Sequence, residues 1–183
     1  MGSVVEEPLD TSSPRIIDYA TNHRTDFLDI YLFWRCSFYL GSSAGIWSVP
    51  AIFRKPVAFV NYLPVQGRNT RGPHDVLIPR KLWLRNEHRY MTFREIFQSG
   101  AGWFRHKEQY DGLGLDLVEN SPEEITALAM EMDQRIRGSW QCTKEDEELQ
   151  ERYWSLFGLT ESIGLKSPRM GAQFLRENPD LLE

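Results

Sequence analysis

The residues best suited to chemistry in this sequence are Phe38-Tyr39-Leu40-Gly41-Ser42-Ser43-Ala44-Gly45. A short apolar run gives way to small residues and then to a helical pattern. Small residues let a backbone approach a ligand closely, and a helix start offers unpaired N–H groups and the positive end of its dipole. Ser42 and Ser43 add hydroxyl donors. This chemistry suits a phosphate or diphosphate. A tight strand-to-helix turn that binds nothing has the same pattern. Gly41-x-x-x-Gly45 lacks the Lys-Ser/Thr of a P-loop, which argues against ATP hydrolysis.

Other groups carry weaker signals. Asp26 and Asp29 fall on one face of a predicted helix, either to meet a ligand near the strand ends or, more commonly, to favour the helix start. Arg68, Arg71, Arg80, Lys81, Arg85 and Arg89 form a basic group that could contact phosphate or an anionic lipid carrier, although such runs usually face water. His23, His74, His88 and His106 are scattered without metal-ligand spacing, and no Asp-x-Asp follows a strand, so no metal site is expected. Cys36 and Cys142 stand far apart, which suits reduced thiols and not a disulfide framework.

The elements that must position the turn follow from periodicity. Residues 1–14 are polar and acidic and read as a disordered entry segment. Ile16, Ile17 and Tyr19 suggest a short strand. Thr25 or Asp26 opens a helix whose Phe27, Leu28, Ile30, Tyr31, Leu32 and Trp34 are dense enough to predict burial nearly all round. A second helix begins near Ala44, with Pro50 in its first turns. Val57 to Val60 is a buried strand ending near Asn61. Helix, strand, helix and strand in such close order imply a parallel sheet with crossover helices.

Residues 64–75 read as a long polar loop, Val76 to Leu84 as a returning strand, and 99–114 as a Gly-rich, aromatic loop. Thr92-x-x-Glu95 predicts a capped short helix. Leu115 to Glu119 reads as a strand, followed by a helix with Ser121 as cap and Pro122 at its first position. Its stripe is Ile125, Leu128, Ala129, Met132 and Ile136. Further helices are predicted over 144–157, with Phe157 facing inward, and over 172–176.

Composition bounds the rest. The 183 residues fit a single Rossmann-like α/β domain over 15–183, and 41% hydrophobic residues can fill a core. A net charge of −5 argues against general nucleic-acid binding. The densest apolar stretch is broken by Asp29 and Arg35, so no transmembrane helix is expected. The N-terminus lacks a signal-peptide pattern, which together with the thiols suggests a cytoplasmic location, at most peripheral at the inner membrane.

Asp26-Phe27-Leu28-Asp29-Ile30-Tyr31-Leu32, the run Phe38 to Gly45, and Val49-Pro50-Ala51-Ile52-Phe53-Arg54-Lys55-Pro56-Val57 with Asn61-Tyr62 resemble the C-terminal half of a bacterial GT-B-like glycosyltransferase family of surface polysaccharide synthesis. Heptosyltransferases show a distant analogue of the turn. Weaker likeness continues through Glu119 to Ile125 and the tail Gly171 to Leu182.

The resemblance implies the donor-binding half of a GT-B fold, without the N-terminal half or the first strands of its own half. It implies sugar transfer from a nucleotide-diphosphate donor to a glycan or lipid-linked acceptor, with no cofactor or metal. Gly41, Ser42, Ser43, Ala44, Gly45 and Asn61 would bind the donor, with Asp26, Asp29, Tyr62 and Glu119 as further rim contacts. No residue is assigned as the catalytic base, and the chain alone is expected to show no turnover. The alternative is a non-catalytic nucleotide-sugar-binding or interaction module. Trp83, Phe97, Trp103 and Phe104 are the expected docking face for a missing half or for self-association.

Overall fold

The structure is a computed structural model that describes residues 5, 7–67, 72, 74–156 and 169–183. It contains an α/β unit with a four-stranded, all-parallel sheet, flanking helices and a small antiparallel sheet. The parallel sheet has the order β1 (Tyr39–Gly41), β2 (Val57–Tyr62), β3 (Val76–Pro79) and β7 (Arg169–Met170). The antiparallel sheet places β4 (Lys81–Leu84) between β5 (Arg89–Tyr90) and β6 (Leu115–Val118).

The predicted strand over 76–84 is therefore two strands, with Arg80 at the corner between the sheets. All of Val76–Pro79 is buried, as a central parallel strand requires, whereas β4 alternates partly. Chain continuity at this corner brings the ends of β3 and β6 together.

The short strand expected around Ile16 to Tyr19 is instead the entry to α1 (Tyr19–Asn22), because Asp18 accepts a hydrogen bond from the Thr21 amide and caps a helical turn. Thr25 caps α2 (Asp26–Arg35) through the Leu28 amide. The expectation that α2 is buried nearly all round fails. Only Phe33 is fully buried, because β1 is an edge strand and α2 has the sheet on one side only.

A 3-10 turn at Gly45–Trp47 runs directly into α3 (Ser48–Ile52). Pro50 has no N–H to continue an i→i−4 ladder here, which suits a tightened first turn. The predicted loop over 99–114 contains a 3-10 turn at Ala101–Trp103 and a helix, α5 (Lys107–Gly112). The other helices are α4 (Phe93–Gln98), α6 (Pro122–Arg137), α7 (Lys144–Ser155) and α8 (Ala172–Glu177). Phe157 lies outside the described residues.

The core joins Phe59, Tyr62, Leu77, Ile78 and Leu82 from the sheets to Leu128 and Met132 of α6, Tyr153 of α7 and Leu175 of α8. Leu77 also receives the Gly171 amide on its carbonyl at 2.9 Å. A Cβ at Gly171 would stand 2.8 Å from Leu128 Cδ1 and 3.0 Å from Ile78 Cγ2, so those core side chains would have to shift for α8 to keep its place against α6 and β3. Among the described residues no helix is long and apolar enough to cross a membrane.

Candidate functional site

The C-terminal ends of parallel strands are where open α/β sheets bind ligands. Here that rim is formed by Gly41–Gly45 after β1, Asn61–Leu63 at the end of β2, Arg80 after β3, and Glu119–Asn120 after β6. Two asparagines hold it together. The Asn61 amide donates to Asn120 Oδ1 at 2.6 Å, and the Asn120 amide donates to Asn61 Oδ1 at 2.7 Å. Asn120 Nδ2 donates to the Pro79 carbonyl at 2.9 Å. Asn61 has φ 50, a left-handed conformation that Asn tolerates better than most residues, and the β2–β3 register shifts between Phe59 and Tyr62. That local reversal aims its carboxamide across to β6.

Asn61 is thus at the rim, but its side-chain oxygen is committed to the clasp. Asn120 is the residue that sequence reading missed. The visible signal was an Asn one position before a strong helix cap. Ser43 is likewise occupied: its hydroxyl donates to the Leu63 carbonyl at 2.6 Å and so ties the β1 turn to the end of β2. Gly41 is needed for a local reason, since a Cβ there would lie 2.4 Å from the Tyr39 hydroxyl. The same hydroxyl donates to the Ser42 carbonyl at 3.3 Å, and burial pushes its pKa up.

What remains open in the turn is Ser42, Ala44 and Gly45, all exposed. A Cβ at Gly45 would meet nothing within 4 Å. Ala44 is the residue at the helix cap, extended at φ −62 and ψ 149, and it supplies no side-chain acceptor. Every other α-helix start among the described residues is held by an oxygen of the chain itself. Asp18, Thr25, Thr92, Ser121 and Thr143 cap α1, α2, α4, α6 and α7. Gln109 Oε1 accepts the Arg105 and His106 amides before α5, and Glu131 Oε2 accepts the Ala172 amide that begins α8. The 3-10 turn at Gly45 that leads into α3 has no side-chain cap, as is also true of the 3-10 turns at Ala101 and Pro179.

A groove of about 620 Å³ runs along the open edge of β1 beside this turn. Gly41, Ser42 and Ala44 line one end of it, and Leu32, Arg35 and Cys36 of the α2 end line the other. Burial raises the Cys36 thiol pKa, with Lys55 pulling it the other way.

The remaining predicted contacts lie elsewhere or are engaged. Tyr62 is fully buried with its ring 5.1 Å from Phe59, so as a ligand contact it is corrected to a core residue. Asp29 accepts from the Tyr19 hydroxyl at 2.8 Å and pairs with Arg24 at 3.0 Å, and Asp26 pairs with Arg24 at 3.2 Å. Both acids serve the α1–α2 junction. Glu119 does stand at the rim, paired with Arg80 at 2.5 Å.

The basic group is spent in ion pairs where it is described. Lys81 pairs with buried Glu124 at 2.8 Å, Arg85 with Asp111 and Asp116, and Arg89 with Glu87 and Glu95. Arg68 and Arg71 lie outside the described residues. Among the described residues no group of three or more His, Cys, Asp or Glu could hold a metal ion.

The expected docking aromatics are also corrected in part. Trp83 packs edge-on against Tyr90, Phe97 stacks on Phe93, and Phe104 packs edge-on against Tyr110; of the four only Trp103 is exposed. Comparison of the chain with protein-family models, curated proteins and solved structures gives no match.

Proposed function

We propose that this chain is the donor-binding half of a GT-B-type glycosyltransferase and that its Ser42–Gly45 turn receives the diphosphate of a nucleotide sugar. The observation that carries this reading is the uncapped, exposed 3-10 turn at Gly45 leading into α3, beside a groove lined by Gly41, Ser42 and Ala44 at the end of a parallel strand. The groove of about 620 Å³ is lined by Gly41, Ser42, Ala44 and Ile46 of this turn, large enough for a ligand whose phosphates would meet its N–H groups.

The reaction breaks the bond between the anomeric carbon and the diphosphate oxygen and forms one to an acceptor oxygen. The turn stabilises negative charge as it grows on the leaving diphosphate, an electrostatic role that needs no metal. The acceptor and the base that takes its proton belong to the opposite wall of the cleft, supplied by an N-terminal half. Glu119 at the rim is paired with Arg80 and is not assigned that role. This pairing favours, as a second reading, a nucleotide-sugar-binding module without turnover of its own.

The test is Ala44→Asp. The carboxylate caps the bare helix and occupies the place of the phosphate. Thermal stability should rise while nucleotide-sugar binding, measured by calorimetry against a panel of donors, falls more than about tenfold, roughly the 1.4 kcal/mol expected from charge repulsion at the site. A wild-type chain that binds no nucleoside diphosphate or nucleotide sugar, or an Ala44→Asp variant that binds as well as wild type, overturns the reading.

A further inference from the structure

We propose that the outer face of α2 is a self-complementary contact by which two copies of this chain associate, antiparallel, about a two-fold axis between Ile30 and Tyr31. The positions turned outward are Phe27, Ile30, Tyr31 and Trp34, with 72%, 49%, 40% and 48% of their surfaces exposed. Their spacing makes one stripe on a helix, and a helix that is apolar on both faces belongs in an interior. The inner face is already covered, with Phe33 buried.

The outer stripe is ordered. Phe27 stacks on Tyr31 at 5.8 Å, and Tyr31 meets Trp34 at 5.8 Å. It continues toward Leu40, exposed on the edge strand, which lines both the groove beside α2 and a second hollow shared with Met130 of α6.

Charge selects the occupant. The stripe is bounded at its start by Asp26, whose side chain is almost wholly exposed although one oxygen also meets Arg24 at 3.2 Å, and at its end by exposed Arg35. Laid antiparallel on a second α2, Asp26 faces the copy's Arg35, Phe27 faces its Trp34, and Ile30 faces its Tyr31. A parallel pairing would set Asp26 against Asp26 and Arg35 against Arg35. Only a two-fold axis makes one surface its own complement. A lipid surface fits less well, because the chain carries −5 overall and Asp26 and Asp29 flank the stripe.

The four side chains offer about 400 Å² of apolar surface per copy, large aromatic side chains carrying about 150–250 Å² each. That places the contact at the small, reversible end of specific interfaces, with a dissociation constant on the order of 10 μM.

The test is sedimentation equilibrium of the full chain, without nucleotide, over a hundredfold concentration range. Because no donor is present, the result stands apart from the reading of the rim. Wild type should fit a monomer–dimer equilibrium. Asp26→Arg or Arg35→Asp alone should weaken it about tenfold, and the two together should restore it, since the swapped charges again face their opposites. Phe27→Ser with Trp34→Ser should leave a monomer with an unchanged circular dichroism spectrum. A wild-type monomer throughout, a dimer indifferent to the charge reversals, or a monomer that instead co-sediments with phosphatidylcholine or phosphatidylglycerol vesicles overturns the proposal.

Discussion

Two strand-to-helix turns stand on the same rim, and they are built in opposite ways. After β6, Asn120 and Ser121 lead into α6. Ser121 accepts the Glu124 amide at 3.2 Å, Glu124 accepts the Ser121 amide at 2.9 Å, and Pro122 has no amide to satisfy. Lys81 neutralises the buried Glu124. That turn is closed by its own sequence and has nothing left to offer a ligand. After β1, Ser42-Ser43-Ala44-Gly45 leads into a helix with no side-chain cap, and its inward serine is used to hold Leu63. A helix start costs roughly 1 kcal/mol when its cap is missing. The start at Gly45 shares this lack of a side-chain cap with the 3-10 turns at Ala101 and Pro179, and in the proposed function it receives an external anion.

The largest effect should come from breaking the clasp that aligns the two turns. Asn120→Leu strands the half-buried Asn61 amide and the buried Pro79 carbonyl, while the Asn120 backbone amide can still donate to Asn61 Oδ1. Urea denaturation should show a loss of roughly 3 kcal/mol, the sum of about two unsatisfied buried groups. A loss below the error of the extrapolation would mean that the two sheets do not depend on this contact.

Gly41→Val and Ser43→Glu follow. Sequence pattern alone offers them as clean blocks to phosphate binding, but the structure makes them folding variants as well. Valine drives into the Tyr39 ring, and glutamate removes the hydroxyl that holds Leu63. Each should lower stability by about 1–3 kcal/mol, as overpacking and lost buried hydrogen bonds do. Equal melting temperatures for these variants and wild type would show that the turn is looser than its geometry.

Smaller still is the exchange of caps. Ser121→Ala should cost about 1 kcal/mol, whereas Ala44→Asp should add a comparable amount. The two shifts in melting temperature should therefore have opposite signs. If both are negative, the start at Gly45 is not open to capping, and the contrast between the turns is lost.

The smallest effect is set by pH at another self-capped start, that of α4. The Arg89 guanidinium beside Glu95, helped by the Thr92 amide, holds that carboxyl down at about 2 against its ordinary 4.5, although partial burial pushes it up. A carboxyl depressed in the folded state adds stability that is fully present above 4.5 and is lost as the pH falls from there toward 2. With more than a third of the Glu95 side chain exposed, solvent screening leaves about 1 kcal/mol. Glu95→Gln should flatten this part of the acid-denaturation profile and leave the neutral range nearly parallel to wild type.

By itself the sequence determined the elements whose signals are local. The Thr25, Thr92 and Ser121 caps, the buried run Val57 to Val60, and the small-residue turn after β1 are written in neighbouring residues, because capping, strand burial and close backbone approach act over a few positions. Only the tertiary structure decided what those residues touch. It spent Ser43 on Leu63 and Asn61 on Asn120, buried Tyr62, drew Asp26 and Asp29 to Arg24, and broke residues 76–84 at Arg80 into strands of two sheets. It also turned the outer face of α2 to the surface, since the strand beneath that helix lies at the sheet edge. Such outcomes depend on partners distant in the chain. Asn61 and Asn120 are 59 residues apart, and local pattern carries no record of a contact at that distance.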